Sequence, residues 1–128
     1  MTSIFSQIVS GKIDCYKVDE NDEFLAFLDL NPIAFGHTLV ISKIQIDYIF
    51  DLEDELLSRM IVFSKNVALK LKSKIECKKI GIAVIGLEVP HAHIHLVPMN
   101  NVDDLNFSRP KLAVTKEDLM LMQKQLLS

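Results

Sequence analysis

Residues 90–98 read Pro90-His91-Ala92-His93-Ile94-His95-Leu96-Val97-Pro98, so three histidines alternate with small or apolar residues between two prolines. Alternation with a period of two is typical of a β-strand, in which successive side chains point to opposite faces. The pattern predicts three imidazoles on one face, about 6.5 to 7 Å apart along the strand, with the intervening side chains in the core. Histidine is not a core residue by preference, so this row indicates a functional surface.

Two kinds of chemistry use several imidazoles together. Neutral imidazoles bind Zn²⁺ or Fe²⁺, but one ion about 2 Å from each nitrogen does not easily bridge three positions spread over about 13 Å of strand. In the alternative, one imidazole attacks phosphorus, a neighbour orients it and another donates a hydrogen bond or proton to the phosphate. The row suits the second chemistry better, and a metal-dependent hydrolase stays as the less favoured alternative.

Outward from this segment, the sequence predicts short elements grouped by type. They are a helix over 3–10 ended by Gly11, strands over 15–18, 23–28, 37–42 (entered through Gly36), 79–86 and 91–97, and a terminal helix capped by Thr115 with Leu119, Met122 and Leu126 on one face. Helices grouped in this way, rather than alternating with strands, favour an α+β fold with a five-stranded antiparallel sheet. No linker or repeat interrupts the chain, so we expect one domain over residues 1–128.

Two segments carry more apolar surface than one sheet face needs. Between residues 52 and 74, apolar side chains recur at helical spacing at Leu56, Met60, Phe63, Val67 and Leu71, with a second line at Leu57, Ile61 and Ala68. The second line indicates either a subunit interface or a broad core face. The run from Lys79 to Gly86 is apolar on both faces and predicts a central strand.

Composition excludes several classes of function. The 128 residues carry a net charge of −3 without charge blocks, which argues against binding to nucleic acid or to an anionic membrane surface. The amino terminus lacks a basic region, and the apolar runs are far shorter than a membrane span. Cys15 and Cys77 match no disulfide or metal pattern and are interpreted as reduced thiols of a cytoplasmic protein.

Four segments together resemble the histidine triad (HIT) family of nucleotide-binding proteins. Residues 91–97 are similar to its histidine signature, residues 3–9 to its "IFxxI" helix, residues 24–32 to its "LAFxDxxP" strand, and residues 36–43 to its "GHxLVIPK" strand. The four occur in family order and spacing over residues 3 to 99. The resemblance is therefore highly specific.

The resemblance implies a homodimer joined through the long helix and a strand, without a cofactor or a metal. It also implies hydrolysis or nucleotidyl transfer at the α-phosphorus of AMP-phosphoramidates or dinucleoside polyphosphates. His93 would be the nucleophile, oriented by a hydrogen bond to a main-chain carbonyl near His91, and would form a nucleotidyl-histidine that water releases. His95 would contact the phosphate and assist the leaving group, with His37 and His91 as the supporting relay.

The same resemblance implies a pocket for a purine nucleotide such as AMP. Asp29 matches the acidic residue that holds the ribose hydroxyls, although by sequence alone it is also a strand-ending turn residue. The apolar walls of the base pocket match Phe5, Ile8, Phe27 and Leu30. Each of these four side chains is, by residue type, equally a candidate for the core.

The chain departs from the family pattern around the phosphate. Before the first triad histidine, the loop is several residues shorter, Leu87 stands at the usual Gln place, and Glu88 stands where Ser or Thr is frequent. Glu88 is interpreted as a general acid or as a solvent-facing loop residue. These changes leave room for a nucleotide-binding regulatory protein with little turnover.

Two further expectations concern metal and charge. Ser3 and Ser6 stand where some members carry zinc-binding cysteines, so a structural zinc site is not expected, because a serine hydroxyl does not replace a thiolate. The polar run through Arg109 is a candidate for placing one cation near a phosphate.

Overall fold

A computed structural model of the chain describes residues 2–128 and shows an α+β fold. Within these residues, five strands form one antiparallel sheet in the order β1-β2-β3-β5-β4. The strands are β1 (Lys17–Glu20), β2 (Phe24–Leu28), β3 (Thr38–Ser42), β4 (Lys79–Ala83) and β5 (His93–Met99), and the helices are α1 (Ile4–Val9), α2 (Asp54–Lys74) and α3 (Lys116–Leu127). The architecture and the antiparallel sheet expected from the sequence are confirmed.

Strand β5 lies between β3 and β4, so the histidine segment occupies an inner position of the sheet. Strand β4, predicted to be central, instead pairs only with β5 and forms an edge, so that prediction is wrong for the single chain. Its apolar side chains remain accessible, and Ile82 is 52 % exposed. A run that is apolar on both faces but open along one edge has surface left for another contact.

Helix α2 covers one face of the sheet. Met60, Phe63, Val67 and Leu71 are buried against the strands, where they meet Ile94 and Leu96 of β5. Each fully buried side chain of this kind stabilises the fold by about 1.5–3 kcal/mol. Of the second apolar line, Leu57 and Ala68 are half-buried and Ile61 is exposed, so this line covers only the margin of the core.

Helix α3 closes the same core. Thr115 caps it, because its hydroxyl accepts the Asp118 N–H while the Asp118 carboxylate accepts the Thr115 N–H. This reciprocal capping satisfies two backbone donors at the helix start. The predicted apolar face is confirmed, since Leu119, Met122 and Leu126 are all buried.

The opposite face of the sheet is covered less completely. The short helix α1 places Phe5 against Leu25, Phe27, Leu39 and Ile41. Six residues of helix span too little length to cover a five-stranded sheet. The uncovered part of this face, next to β5, is where the cavity described below opens.

Gly36 shapes the entry into β3. It has a φ of +88°, which favours glycine, and a Cβ at this position would overlap Cδ1 of Ile75 at the end of α2. The close approach brings His37 to the start of β3 beside β5.

Within residues 2–128, no helix has both the length and the apolar character that crossing a membrane requires.

Candidate active site

A cavity of about 440 Å³ opens on the face of the sheet that carries α1. Of the side chains predicted to act in the site, all but His91 and Arg109 line it; these are His37, His93, His95, Asp29, Phe5, Ile8, Phe27, Leu30 and Glu88. They come from α1, β2 and the turn that follows it, the position just before β3, β5 and the loop before β5. The fold therefore brings together residues that are up to 90 positions apart in sequence, from Phe5 to His95.

His93 is oriented by main chain. Its Nδ1 donates to the carbonyl oxygen of His91 over 2.7 Å, and the edge of its ring packs against Phe5 at 5.0 Å between centroids. A neutral imidazole that donates from Nδ1 carries its lone pair on Nε2. This contact thus selects the tautomer of a neutral His93 whose Nε2 is free to act as a nucleophile.

His91 lies behind this residue and just before β5 begins. It is fully buried, its Nε2 donates to the Ser42 carbonyl over 2.6 Å, and its Nδ1 accepts from the Ser3 hydroxyl over 2.7 Å. Burial is the main cause that lowers the pKa of His91, which favours the neutral ring. Because both ring nitrogens are used, the carbonyl of His91 is held in place for His93.

The positions where zinc-binding cysteines occur in other members hold a hydrogen-bonded cluster here. The Ser6 hydroxyl donates to Oε1 of Gln45 over 2.7 Å, and the same oxygen accepts the Ser3 N–H over 2.7 Å. These bonds fasten the start of α1 to the segment after β3. Hydroxyl and amide oxygens are poor zinc ligands compared with thiolates, so the donor set does not fit a structural zinc site.

His37 and His95 form a second, directional pair. His37 Nδ1 accepts the main-chain N–H of Ile33 over 3.1 Å, so the proton of a neutral His37 ring lies on Nε2. That nitrogen is 3.0 Å from Nδ1 of His95, which therefore accepts. The proton of His95 is consequently on Nε2, and His95 is a hydrogen-bond donor beside His93, with 5.0 Å between the two ring centroids.

Burial keeps this pair neutral. It lowers the pKa of His95 to about 3, with smaller contributions from His93, His37 and Lys111. Burial also lowers the pKa of His37, and nearby Asp29 opposes that shift. At neutral pH the contact between His37 and Asp29, 3.5 Å from Nε2 to Oδ2, is therefore not an ion pair.

The two carboxylate oxygens of Asp29 make different contacts. Its Oδ1 accepts the Asn31 N–H over 2.8 Å, as expected of a strand-ending turn, while Oδ2 lies towards His37 on the cavity side. The turn contact thus uses one oxygen of Asp29, and the other oxygen is left on the cavity side. The carboxylate is held rigidly with one oxygen in the cavity, where two hydroxyl donors can reach it.

The ligand atoms of Asp29, His37 and His95 lie within 4.8 Å of one another, close enough to be considered for a metal ion. A metal on Nε2 of His37 would move the ring proton to Nδ1, opposite the N–H of Ile33. The Nδ1–H of His37 and the N–H of Ile33 would then face each other in the protein interior, and neither would have an acceptor there. The donor set fits a hydrogen-bond chain better than a metal site.

The predicted apolar wall divides into buried and open parts. Phe5 and Phe27 are 7 % and 4 % exposed, contact each other edge to face and belong to the small core under α1 as well as to the cavity. Ile8 is half-buried at the same wall, and Leu30 is 56 % exposed at the rim. An aromatic and aliphatic wall beside the Asp29 carboxylate suits a flat ring attached to a hydroxylated sugar.

The loop before the histidines adds rim rather than phosphate donors. It contributes Ile85, Gly86, Leu87, Glu88 and Val89 to the lining, and none of these side chains carries an N–H group. Glu88 is exposed and lies on the wall of the cavity.

Two residues of the site come from a segment without a recognisable motif. Phe107 packs its ring against His95 at 4.7 Å and His37 at 5.9 Å, and Lys111 lies beside it on the cavity wall. The expectation for Arg109 is wrong, because Arg109 pairs with Asp103 and Asp104 outside the cavity. Only long-range folding brings this segment to β5, so no local sequence signal identifies it.

Comparisons with known proteins agree on one family. The family model of the HIT domain matches residues 10–102 of this chain. An uncharacterized HIT-like protein of Borreliella burgdorferi is 34 % identical over 113 residues, covering 83 % of this chain and 81 % of that protein. An adenosine 5′-monophosphoramidase of Schizosaccharomyces pombe is 28 % identical over 130 residues, covering 100 % of this chain and 98 % of the relative.

Solved structures agree with the fold. The crystal structure of a HIT-like protein from Bartonella henselae, described as involved in cell-cycle regulation and containing an unknown ligand, superimposes with a TM-score of 0.84. The two chains are 25 % identical, and the match covers 98 % of this chain and 94 % of that one.

Proposed function

The chain belongs to the HIT family, and we propose that it is a hydrolase or nucleotidyl transferase acting at the α-phosphorus of an AMP-like nucleotide through His93. One observation carries this proposal: two neighbouring imidazoles are held in complementary states. His93 donates from Nδ1 to main chain and offers a lone pair, whereas His95 accepts on Nδ1 and offers an N–H. A nucleophile beside a donor is what displacement at a phosphoryl group requires.

In the first step, Nε2 of His93 attacks the α-phosphorus while the bond from phosphorus to the leaving group breaks. The Nε2–H of His95 donates to an oxygen of the phosphoryl group or to the leaving atom, whose electron pair it stabilises. Because the pKa of His95 is about 3, it acts as a neutral donor at pH 7 and not as an imidazolium. Water then cleaves the bond between phosphorus and His93 and releases the nucleotide.

The rest of the cavity supports binding of a nucleotide. Asp29 offers one free oxygen to the ribose hydroxyls, and the wall formed by Phe5, Ile8, Phe27 and Leu30 offers apolar surface to the base. A purine fits the size of the cavity, which is within the range of small-molecule sites. The relative from Schizosaccharomyces pombe, named as an adenosine 5′-monophosphoramidase, supports adenosine as the nucleoside.

We also infer a homodimer in a reducing compartment such as the cytoplasm. The open edge of β4 with Ile82, continued by Val84 and Ile85, and the exposed Ile61 on α2 form apolar surface that a second copy would cover. Cys15 and Cys77 are free thiols, as is usual in that compartment.

A second candidate function is nucleotide binding with little turnover. It is supported by the loop over residues 85–89, whose side chains give the phosphate no N–H donors. Transition-state stabilisation at phosphorus depends on such donors, and the loss of one costs on the order of 100-fold in rate.

Turnover of a fluorogenic adenosine phosphoramidate distinguishes the two. Wild type is expected to release the fluorophore, His93→Ala to be at least about 1,000-fold slower, and Glu88→Ala to stay within about threefold, because Glu88 is exposed at the rim. AMP binding measured by calorimetry should survive in His93→Ala. Unchanged turnover in His93→Ala contradicts the proposal, and AMP binding by wild type without turnover favours the binding function.

A further inference from the structure

Lys111 gives the cavity its positive charge. Among the lining residues of the described chain it is the one lysine or arginine, whereas Asp14, Asp29 and Glu88 contribute carboxylates. A phosphate chain entering such a cavity is repelled by these carboxylates and attracted by this ammonium. The position of Lys111 therefore decides where a multiply charged ligand is tolerated.

Packing holds Lys111 next to the histidine pair. Its Nζ lies 5.7 Å from the centre of the Phe107 ring and donates to the Phe107 carbonyl over 3.1 Å. The same ring packs against His95 at 4.7 Å. One residue further on, the Leu112 N–H donates to the Pro32 carbonyl over 2.8 Å, which fastens the segment to the turn after β2.

The charge of Lys111 is available to a ligand. No carboxylate of residues 2–128 lies within ion-pair distance of its ammonium, and its bond to Phe107 uses one of three N–H donors. Arg109, two residues earlier, differs in this respect because Asp103 and Asp104 already pair with it. The two cations in one segment thus have opposite environments.

We propose that Lys111, supported by Phe107, forms a leaving-group subsite for a phosphate chain. The subsite makes this site favour nucleotides with an anionic phosphate leaving group, such as dinucleoside polyphosphates, over phosphoramidates with a neutral amine. This inference rests on the proposed function and adds the class of leaving group to it.

The contacts favour a phosphate beyond the reacting one. In the proposed reaction His93 and His95 contact the α-phosphoryl group directly, whereas Lys111 is connected to His95 through the Phe107 ring. When Nε2 of His93 bonds to the α-phosphorus, the bridging P–O bond breaks and its electron pair stays on the departing phosphate oxygen. An ammonium next to that oxygen stabilises the developing charge and lowers the barrier.

The test compares two substrates on matched variants. For diadenosine tetraphosphate, Lys111→Ala is expected to lower kcat/KM about 10-fold, which corresponds to one charge-assisted contact at an exposed site. For an adenosine phosphoramidate with a neutral amine, the same variant should stay within about twofold. Lys111→Arg should retain most of the polyphosphate activity, and Arg109→Ala, the matched control, should leave both substrates within about twofold.

Calorimetry with AMP and ATP gives a second readout that needs no turnover. Lys111→Ala should weaken ATP binding about 10-fold and leave AMP binding unchanged. The leaving-group subsite is overturned if Lys111→Ala lowers kcat/KM equally for the two substrates or weakens AMP and ATP binding equally. It is also overturned if the variant lowers neither kcat/KM nor affinity. If wild type turns over neither substrate, the proposed enzymatic function fails, and the ratio of ATP to AMP affinity then decides the role of Lys111 by itself.

Discussion

Replacing His95 by asparagine is expected to reduce the loss of folding stability that accompanies mild acid. Burial lowers the pKa of His95 from 6.5 to about 3 in the folded chain. Between these values the unfolded chain holds a proton that the folded chain lacks. The contribution of His95 to the free energy of unfolding is therefore fully present above pH 6.5 and falls as the pH drops from 6.5 towards 3.

The size of the effect follows from the two pKa values. At pH 5, this one side chain removes about 2 kcal/mol of the unfolding free energy present at pH 7. The asparagine side chain does not titrate, and its amide oxygen still accepts the Nε2–H of His37. His95→Asn should thus lose about 2 kcal/mol less than wild type between pH 7 and pH 5, whatever its stability at pH 7.

Urea denaturation of both proteins at pH 7 and pH 5 measures this difference. Comparing the change with pH, and not the absolute stability, cancels the cost of the substitution itself. An equal loss in both proteins would refute the reasoning, because it would mean that His95 binds its proton equally well in the folded and unfolded chains.

Three further outcomes are expected. Ser3→Ala removes both the α1 cap and the donor to the buried Nδ1 of His91, so urea denaturation at pH 7 should show a loss of about 2 kcal/mol; no loss would mean that the Ser3 hydroxyl does not hold His91. Gly36→Ala should destabilise by about 1–3 kcal/mol more than Gly11→Ala, since both have positive φ but only Gly36 faces the Ile75 side chain; equal costs would contradict the packing argument. EDTA should leave turnover unchanged, and a loss that Zn²⁺ restores would contradict the hydrogen-bond chain of the histidine pair.

The row of histidines contained most of the information about the site, because strand periodicity fixes which side chains share a face. The apolar residues between the histidines are in the core as predicted, and His93 and His95 do line one cavity. His91 departs from the simple pattern, since the strand begins only at His93 and its ring is turned into a buried bond with Ser42. Local spacing does not predict that difference.

The features that the sequence did not predict depend on contacts between residues that are far apart along the chain. The run over residues 79–86 is apolar on both faces, and such a pattern does not distinguish a central strand from an edge strand that awaits a partner. Phe107 and Lys111 reach the cavity only because their segment folds back past β5 to Pro32. The sequence indicated Arg109 as the cation of this segment, but its pairing with Asp103 and Asp104 holds it outside the cavity.

Covalent catalysis by His93 is tested most directly by trapping the nucleotidyl-histidine intermediate. Wild-type protein mixed with an adenosine phosphoramidate and quenched in alkali within the first turnover should show an added adenylyl group by intact mass. Peptide mapping should place that group on His93, and His93→Ala should show none. Turnover without any adduct, or an adduct on another residue, would contradict the account.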